Sequence, residues 1–365
     1  MRIALDGRSI DWYRGTGMGT YTGALLNILT RYEKDTAVFT SEGWRDPLPR
    51  NCRERGCERR DFWELVANPP PEVPLECTLF HNPHNGFGLP GGLSMPAVVT
   101  IHDIIPLVMP EVSGSPYREM FAQFIGSVLE QAQGIIAVSH CTKKDLLERF
   151  PLNPEKISVI PEFADEMFQP LPAKEAAFFL KERYGIEQPF LLYVGGFGLR
   201  KNVSLLIRAF AALAKAYPDE LLVIPGKEGK NSDSLKQLGA ELRLEERIRF
   251  VGYVPRNDLP YFYNGADVFV YPSLYEGFGL PPLEAAACGK AMITSRVSSI
   301  PEIMGAGALF IDPYDETELT EALDALLKDE ALRTRLGRAA LARSRNFTEE
   351  RMARQTLALY ESLCR

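Results

Sequence analysis

Short runs rich in β-branched and aromatic residues alternate along this chain with longer amphipathic segments. That change of period from two to 3.6 and back is the signature of parallel sheets with crossover helices. In the first half the pattern predicts strands at Ile3–Leu5, Ala37–Thr40, Thr78–His81, Ala97–Ile101, Ile135–Val138 and Ser158–Ile160. Helices are expected near Met18–Tyr32, Tyr117–Gln133 and Cys141–Arg149. The pattern then restarts, with strands at Phe190–Val194, Leu221–Ile224, Ile248–Val251, Val268–Tyr271, Ala291–Thr294 and Leu309–Ile311. The helices between them fall near Val203–Tyr217, Ser232–Leu244, Asp258–Asn264 and Leu280–Cys288. The fold class is α/β.

Between the halves, Pro161 to Pro172 has the proline density of a linker, which divides the chain into domains 1–165 and 166–347. A last amphipathic helix spans about Thr348 to Leu363. A length of 365 residues independently favours two cores over one. Apolar content of 45% and charge of 24% are those of a soluble globular protein. The net charge of −7 argues against a general nucleic-acid binder. No stretch approaches the roughly 20 apolar residues that cross a bilayer, and the start of the chain lacks the features of a signal peptide. Six cysteines without a C-x-x-C pair argue against a zinc site or disulfide framework, and for a reducing cytoplasm.

The densest chemistry lies at Glu276-Gly277-Phe278-Gly279-Leu280-Pro281-Pro282-Leu283-Glu284. A buried strand runs into this glycine turn, and two prolines open a helix that Gly289 stops. In an open α/β sheet, the carboxyl end of a strand at the amino end of a helix is where ligands bind, and its free N–H groups suit a phosphate. Glu284 could equally be a first-turn acid favoured by the helix dipole, and Glu276 a solvated loop acid.

Three further loops follow predicted strands. Gly195-Gly196-Phe197-Gly198-Leu199-Arg200-Lys201-Asn202 follows a strand and precedes a helix that Asn202 can cap. Arg200 and Lys201 sit where the dipole disfavours cations, a cost that a bound anion would offset. The loop after the first strand carries Gly15, Gly17 and Gly19 beside a helix start, which suits a phosphate or sugar but equally a structural turn. Strand Ala97–Ile101 delivers His102 and Asp103 to its carboxyl end, and His81-Asn82-Pro83-His84-Asn85 ends another strand.

Glu276…Glu284 resembles the E-x7-E motif of retaining glycosyltransferases of family 4, which have the GT-B fold: two Rossmann-like domains facing across a cleft. The resemblance implies that Glu276 contacts the donor sugar and Glu284 the nucleotide ribose. It also implies that the amides of Phe278, Gly279 and Leu280 face the sugar and diphosphate. The loop at 195–202 is similar to the family's diphosphate loop, with Arg200 and Lys201 compensating the leaving group. Gly196 stands where many members have Arg, which leaves the role of Arg200 less defined than that of Lys201. Gly17 and Gly19 correspond to a glycine loop facing the donor, and His102 to a sugar contact, with Asp103 orienting it or the acceptor. The final helix, 348–365, is implied to return to the first domain.

The activity implied is retaining transfer of a hexose from a nucleotide-diphosphate sugar. His102–Leu107 and Arg200–Asn202 look most like bacterial mannosyltransferases of surface polysaccharide assembly, hence GDP-mannose and a saccharide or lipid-linked acceptor. No D-x-D triplet occurs, so no metal and no other cofactor is expected. The arginine-rich stretch Arg50–Arg60 is read as a solvated helix face, with peripheral contact to the inner membrane surface as the alternative. Rival readings are another sugar-nucleotide enzyme such as an epimerase or synthase, a non-catalytic nucleotide-sugar sensor, and a glycoside hydrolase using Glu276 and Glu284.

Overall fold

Seven parallel strands build the first sheet in the computed structural model of this chain, which describes residues 1–12, 15–41, 48, 51–57, 73–227 and 229–365. In chain order they are β1 (Arg2–Asp6), β2 (Asp35–Ser41), β3 (Cys52–Cys57), β4 (Leu79–Asn82), β5 (Ala97–Ile101), β6 (Gly134–Ala137) and β7 (Ile157–Val159). Their order across the sheet is β3-β2-β1-β4-β5-β6-β7. The chain therefore reverses its winding direction between β1 and β4, which pair in parallel with Leu5 opposite His81. Strands β4, β5 and β6 are buried on every residue, as a sheet covered on both faces requires.

A second sheet repeats this design with β8 (Phe190–Leu192), β9 (Leu221–Pro225), β10 (Ile248–Gly252), β11 (Val268–Tyr271), β12 (Met292–Ser295) and β13 (Leu309–Ile311). Its order is β10-β9-β8-β11-β12-β13, so the winding reverses between β8 and β11. Those two strands pair through Val268 opposite Leu191 and Phe269 opposite Leu192.

The chain divides into two compact units, Met1–Glu162 with Glu349–Arg365, and Phe163–Thr348. The terminal helix Glu349–Leu363 packs on the first unit for identifiable reasons. Leu363 and Leu359 lie against Gly134, where an added Cβ would stand 2.9 Å from Leu363. Tyr360 is wholly buried and its hydroxyl bonds Nδ1 of His81. The other His81 nitrogen meets Thr100 Oγ1 at 2.8 Å, and burial pushes this histidine down to about 3, so it is neutral.

Two expectations are corrected. The basic stretch is not a helix face: Cys52–Cys57 forms edge strand β3, paired in register with Thr36–Ser41. Its alternation brings Glu54 Oε1 to the Thr40 hydroxyl at 2.9 Å, while Arg53, Glu54 and Arg55 remain exposed, as charges on an edge strand should be. Arg50, Arg59 and Arg60 lie outside the described residues. Among the described residues, three helices of twelve or more residues went unpredicted, Ala173–Tyr184, Glu316–Lys328 and Glu330–Ser344, as did the short helices Ser9–Trp12, Ile105–Val108 and Ile300–Met304. Among the described residues, no helix is long and apolar enough to cross a membrane.

Candidate active site

Both reversal points carry loops with polar chemistry. In the second unit, residues 195–202 leave β8 and residues 272–279 leave β11, which places two glycine-rich turns in the crevice where a doubly wound sheet takes its ligand. Three charged side chains meet there. Lys201 Nζ lies 2.7 Å from Glu276 Oε1, and Arg200 Nη1 lies 2.6 Å from Glu276 Oε2. Tyr271 donates its hydroxyl to Glu276 Oε1 at 3.0 Å and accepts from Lys201 Nζ at 2.6 Å. Burial alone would raise the Glu276 carboxyl, but Arg200 and then Lys201 outweigh it and bring it down to about 2. The group is thus one carboxylate between two cations.

The turn around Glu276 is held by serines that motif reading did not single out. Ser298 Oγ accepts from the Glu276 amide at 2.9 Å. Ser299 Oγ lies 2.9 Å from both the Glu276 and the Phe278 carbonyls, to either of which it can donate. Gly279 takes φ +103°, and a Cβ there would stand 2.6 Å from Ile300 Cδ1, so only glycine fits. Helix Leu280–Ala287 follows. Pro281 and Pro282 have no N–H, so the amides up to Leu280 are the donors this turn can present. Phe278 is itself buried, with its ring edge-on to Phe347 at 6.0 Å.

Glu284 lies one turn into that helix and is buried. Tyr263 donates to its Oε2 at 2.8 Å, and Arg256 Nη2 stands 3.7 Å from its Oε1. Burial raises Glu284 to about 7 against the opposing pull of Arg256 and Tyr263. Arg256 also reaches Asp165 Oδ2 at 3.3 Å and lies over the Phe168 ring at 5.3 Å. The two motif carboxylates therefore occupy opposite environments. Glu276 is fixed as an anion, and Glu284 is poised near neutrality.

In the other loop, Tyr193 donates to the Gly196 carbonyl at 2.6 Å, and among the described residues, its chain neighbours apart, no atom lies within 4 Å of where a Gly196 side chain would begin. The capping role expected of Asn202 is corrected. The residue adopts φ +54° and makes no cap bond. Its amide instead donates to the carbonyls of Pro272 at 3.3 Å and Pro313 at 2.7 Å, which clamps the two loops together.

In the first unit the reversal point holds a buried cluster after β1 and β4. Arg8 donates to both Asp6 oxygens at 2.7 and 2.6 Å. Asn82 Nδ2 lies 3.3 Å and His84 Nε2 3.4 Å from Asp6 Oδ2. Burial opposes ionisation of Asp6, and Arg8 with His84 overcomes it, holding the carboxyl below the usual range. Gly17 and Gly19 occupy the first turn of helix Gly17–Arg31, whose cap Thr16 accepts from the Gly19 amide at 3.5 Å. His102 follows β5 and is buried, edge-on to Tyr21 at 4.9 Å. The carboxylate nearest its ring is that of Glu162, with Oε1 3.4 Å from Nδ1. Asp103 accepts from the Ile105 amide at 3.1 Å and shapes the next turn.

Comparison with known proteins identifies these two units. The family model of glycosyltransferase family 4 matches residues 16–167, and that of glycosyl transferases group 1 matches residues 178–343. The chain is 32% identical over 289 residues to the O-antigen chain mannosyltransferase B of Escherichia coli, covering 78% of this chain and 74% of that protein. It is 30% identical over 304 residues to the serotype-specific mannosyltransferase WbdA of Escherichia coli, but spans only 36% of that protein's length. Sucrose-phosphate synthase from Thermosynechococcus elongatus has the same fold, with a TM-score of 0.81 at 23% identity over 100% of this chain and 99% of that one.

Proposed function

The chain belongs to glycosyltransferase family 4, and on that premise we propose that it transfers mannose from GDP-mannose to a saccharide or lipid-linked saccharide acceptor, with retention of configuration. The observation that carries this reading is the Arg200–Lys201–Glu276 cluster at the reversal point of the second sheet. Bacterial O-antigen and serotype-specific mannosyltransferases among the relatives support the choice of sugar and of a polysaccharide acceptor.

In this reading the nucleotide lies along the amides of Phe278, Gly279 and Leu280, with its ribose on Glu284. Arg200 and Lys201 turn from Glu276 to the diphosphate. Charge on that leaving group grows as the glycosidic bond breaks, so cations already fixed beside it lower the barrier without reorganisation. They supply the compensation that a divalent ion gives elsewhere, and the reaction is proposed to run without metal. Glu276, released from its cations, accepts hydrogen bonds from sugar hydroxyls. His102 also serves the sugar, and Gly17 and Gly19 let the backbone approach the donor. Opposite charge environments would also suit a hydrolase's nucleophile and acid, so it is the family match, and not this contrast, that favours transfer. The cluster of Asp6, Arg8, Asn82 and His84 is assigned to the acceptor side of the first unit.

Thermal shift against nucleotide sugars and bare nucleotides, in the presence of a chelator, tests the reading. GDP and GDP-mannose should raise the melting temperature, and UDP and ADP forms should not. Stabilisation by another base alone would replace the donor, and no shift at millimolar nucleotide would overturn the donor site.

A further inference from the structure

Both ring nitrogens of His102 face acceptors. Nε2 stands 2.9 Å from the Pro83 carbonyl, which has no proton to give, so this nitrogen must carry one. Nδ1 stands 3.4 Å from Glu162 Oε1. The backbone on either side is pinned as well: the His102 amide donates to Asn85 Oδ1 at 2.7 Å, and the Thr142 hydroxyl donates to the His102 carbonyl at 3.2 Å. His102 and Glu162 are 8% and 5% exposed, so a charge on either is costly unless the other balances it. Glu162 is also the last residue of the first unit's leading segment, immediately before the chain enters the second unit.

We propose that Glu162 is a positioning residue that fixes the His102 ring and keeps both of its nitrogens protonated, so that His102 acts as a permanent cation and not as a proton acceptor. The proposal rests on the reading that His102 serves the donor sugar. The groups facing this ring are Glu162 from the segment after β7, Asp103 beside it in the chain, Tyr21 from helix Gly17–Arg31 and the neutral His81 from β4. Burial opposes the charge on His102. The hydrogen bond donated to Glu162, the field of that carboxylate, the Pro83 carbonyl and Asp103 together outweigh burial and raise the imidazole above its ordinary range. With both N–H groups already donated, the ring has no lone pair with which to deprotonate an acceptor. Retaining transfer must then find its base elsewhere, and the leaving diphosphate is the chemical group at hand.

The test pairs a spectrum with a rate. The chain has four histidines, so imidazole nitrogen spectra are readily assigned with a His102→Gln control. In the wild type, both His102 nitrogens should remain protonated at pH 7.5. Glu162→Gln should release one of them, with a pKa at or below about 6.5. Transfer by Glu162→Gln should then fall about thirtyfold in kcat at pH 8, roughly 1.5 units above that value, and recover at pH 6. Glu162→Asp, which keeps the charge, should retain the wild-type profile. A neutral His102 in the wild type at pH 7.5, an unchanged ring spectrum in Glu162→Gln, or a loss of kcat equal at every pH would overturn the proposal. Absence of transfer by the wild type would contradict the functional reading alone, because the ring spectrum still decides the role of Glu162.

Discussion

Lys201 Nζ lies 2.7 Å from Glu276 Oε1, so the cation assigned to a diphosphate and the carboxylate assigned to a sugar are partners of each other. The pairing has a use beyond stability. It holds both groups in place, with Arg200 sharing the same carboxylate at 2.6 Å.

The pair sets a first expectation. The Glu276 carboxyl falls from 4.5 to about 2 on folding, so it adds stability above pH 4.5 and loses it as pH falls towards 2. Glu276→Gln should be less stable than the wild type at pH 7 by about 1–3 kcal/mol, with the gap narrowing by pH 3. Urea unfolding at the two pH values measures this, and an equal gap at both contradicts it. Transfer by the same variant should drop at least ~100-fold.

Glu284 should behave in the opposite sense. Its carboxyl is raised from 4.5 to about 7, so its contribution is present below pH 4.5 and is lost as pH rises through 7. Glu284→Gln should therefore be more stable than the wild type at pH 8, by on the order of 1–3 kcal/mol, and equal to it near pH 4.5. Nucleotide should bind the wild type more tightly at pH 8 than at pH 6, because an ionised carboxylate is the better ribose acceptor. Calorimetric titration at both pH values checks this, and a pH-independent Kd would remove Glu284 from the ribose.

Gly279 separates conformation from packing. Gly279→Ala should lose about 1–3 kcal/mol, because its φ of +103° disfavours a side chain and a Cβ meets Ile300 at 2.6 Å. Shortening Ile300 to Val should restore only part of that loss, since the backbone strain remains. Full recovery of the melting temperature in the double variant would mean that sterics alone demand the glycine.

Tyr360 gives a control far from the donor loops in sequence. Tyr360→Phe leaves His81 Nδ1 without its partner in a fully buried place, at a cost of about 1–2 kcal/mol. Nucleotide affinity should stay within about twofold, because His81 and Tyr360 are not among the residues assigned to the nucleotide. A larger loss of affinity would tie the terminal helix to donor binding.

Much of the fold was legible because strands such as Val268–Tyr271 and Ala97–Ile101 are continuous apolar runs bounded by turn residues. Strand β3 was missed because Cys52-Arg-Glu-Arg-Gly-Cys57 has the composition of a solvated helix, and only its pairing with β2 makes it a strand. The glycine turn and its two acids were readable because motif and local structure lie together in the chain. Glu162, Arg256, Tyr263, Ser298 and Ser299 were not, because each reaches its partner across many residues with no local pattern. Asn202 looked like a cap because residue type and position suggested one. Its left-handed backbone redirects the side chain, and nothing in the neighbouring residues announces that.

The most direct test of the account is the affinity for GDP, measured by calorimetry with chelator present, in the wild type and in Arg200→Ala and Lys201→Ala. The account expects metal-independent binding by the wild type and a loss of about 10- to 100-fold in each variant, since each removes a charge-assisted bond of about 1.5–3 kcal/mol to the diphosphate. Equal affinity in all three proteins would contradict the assignment of these cations to the leaving group.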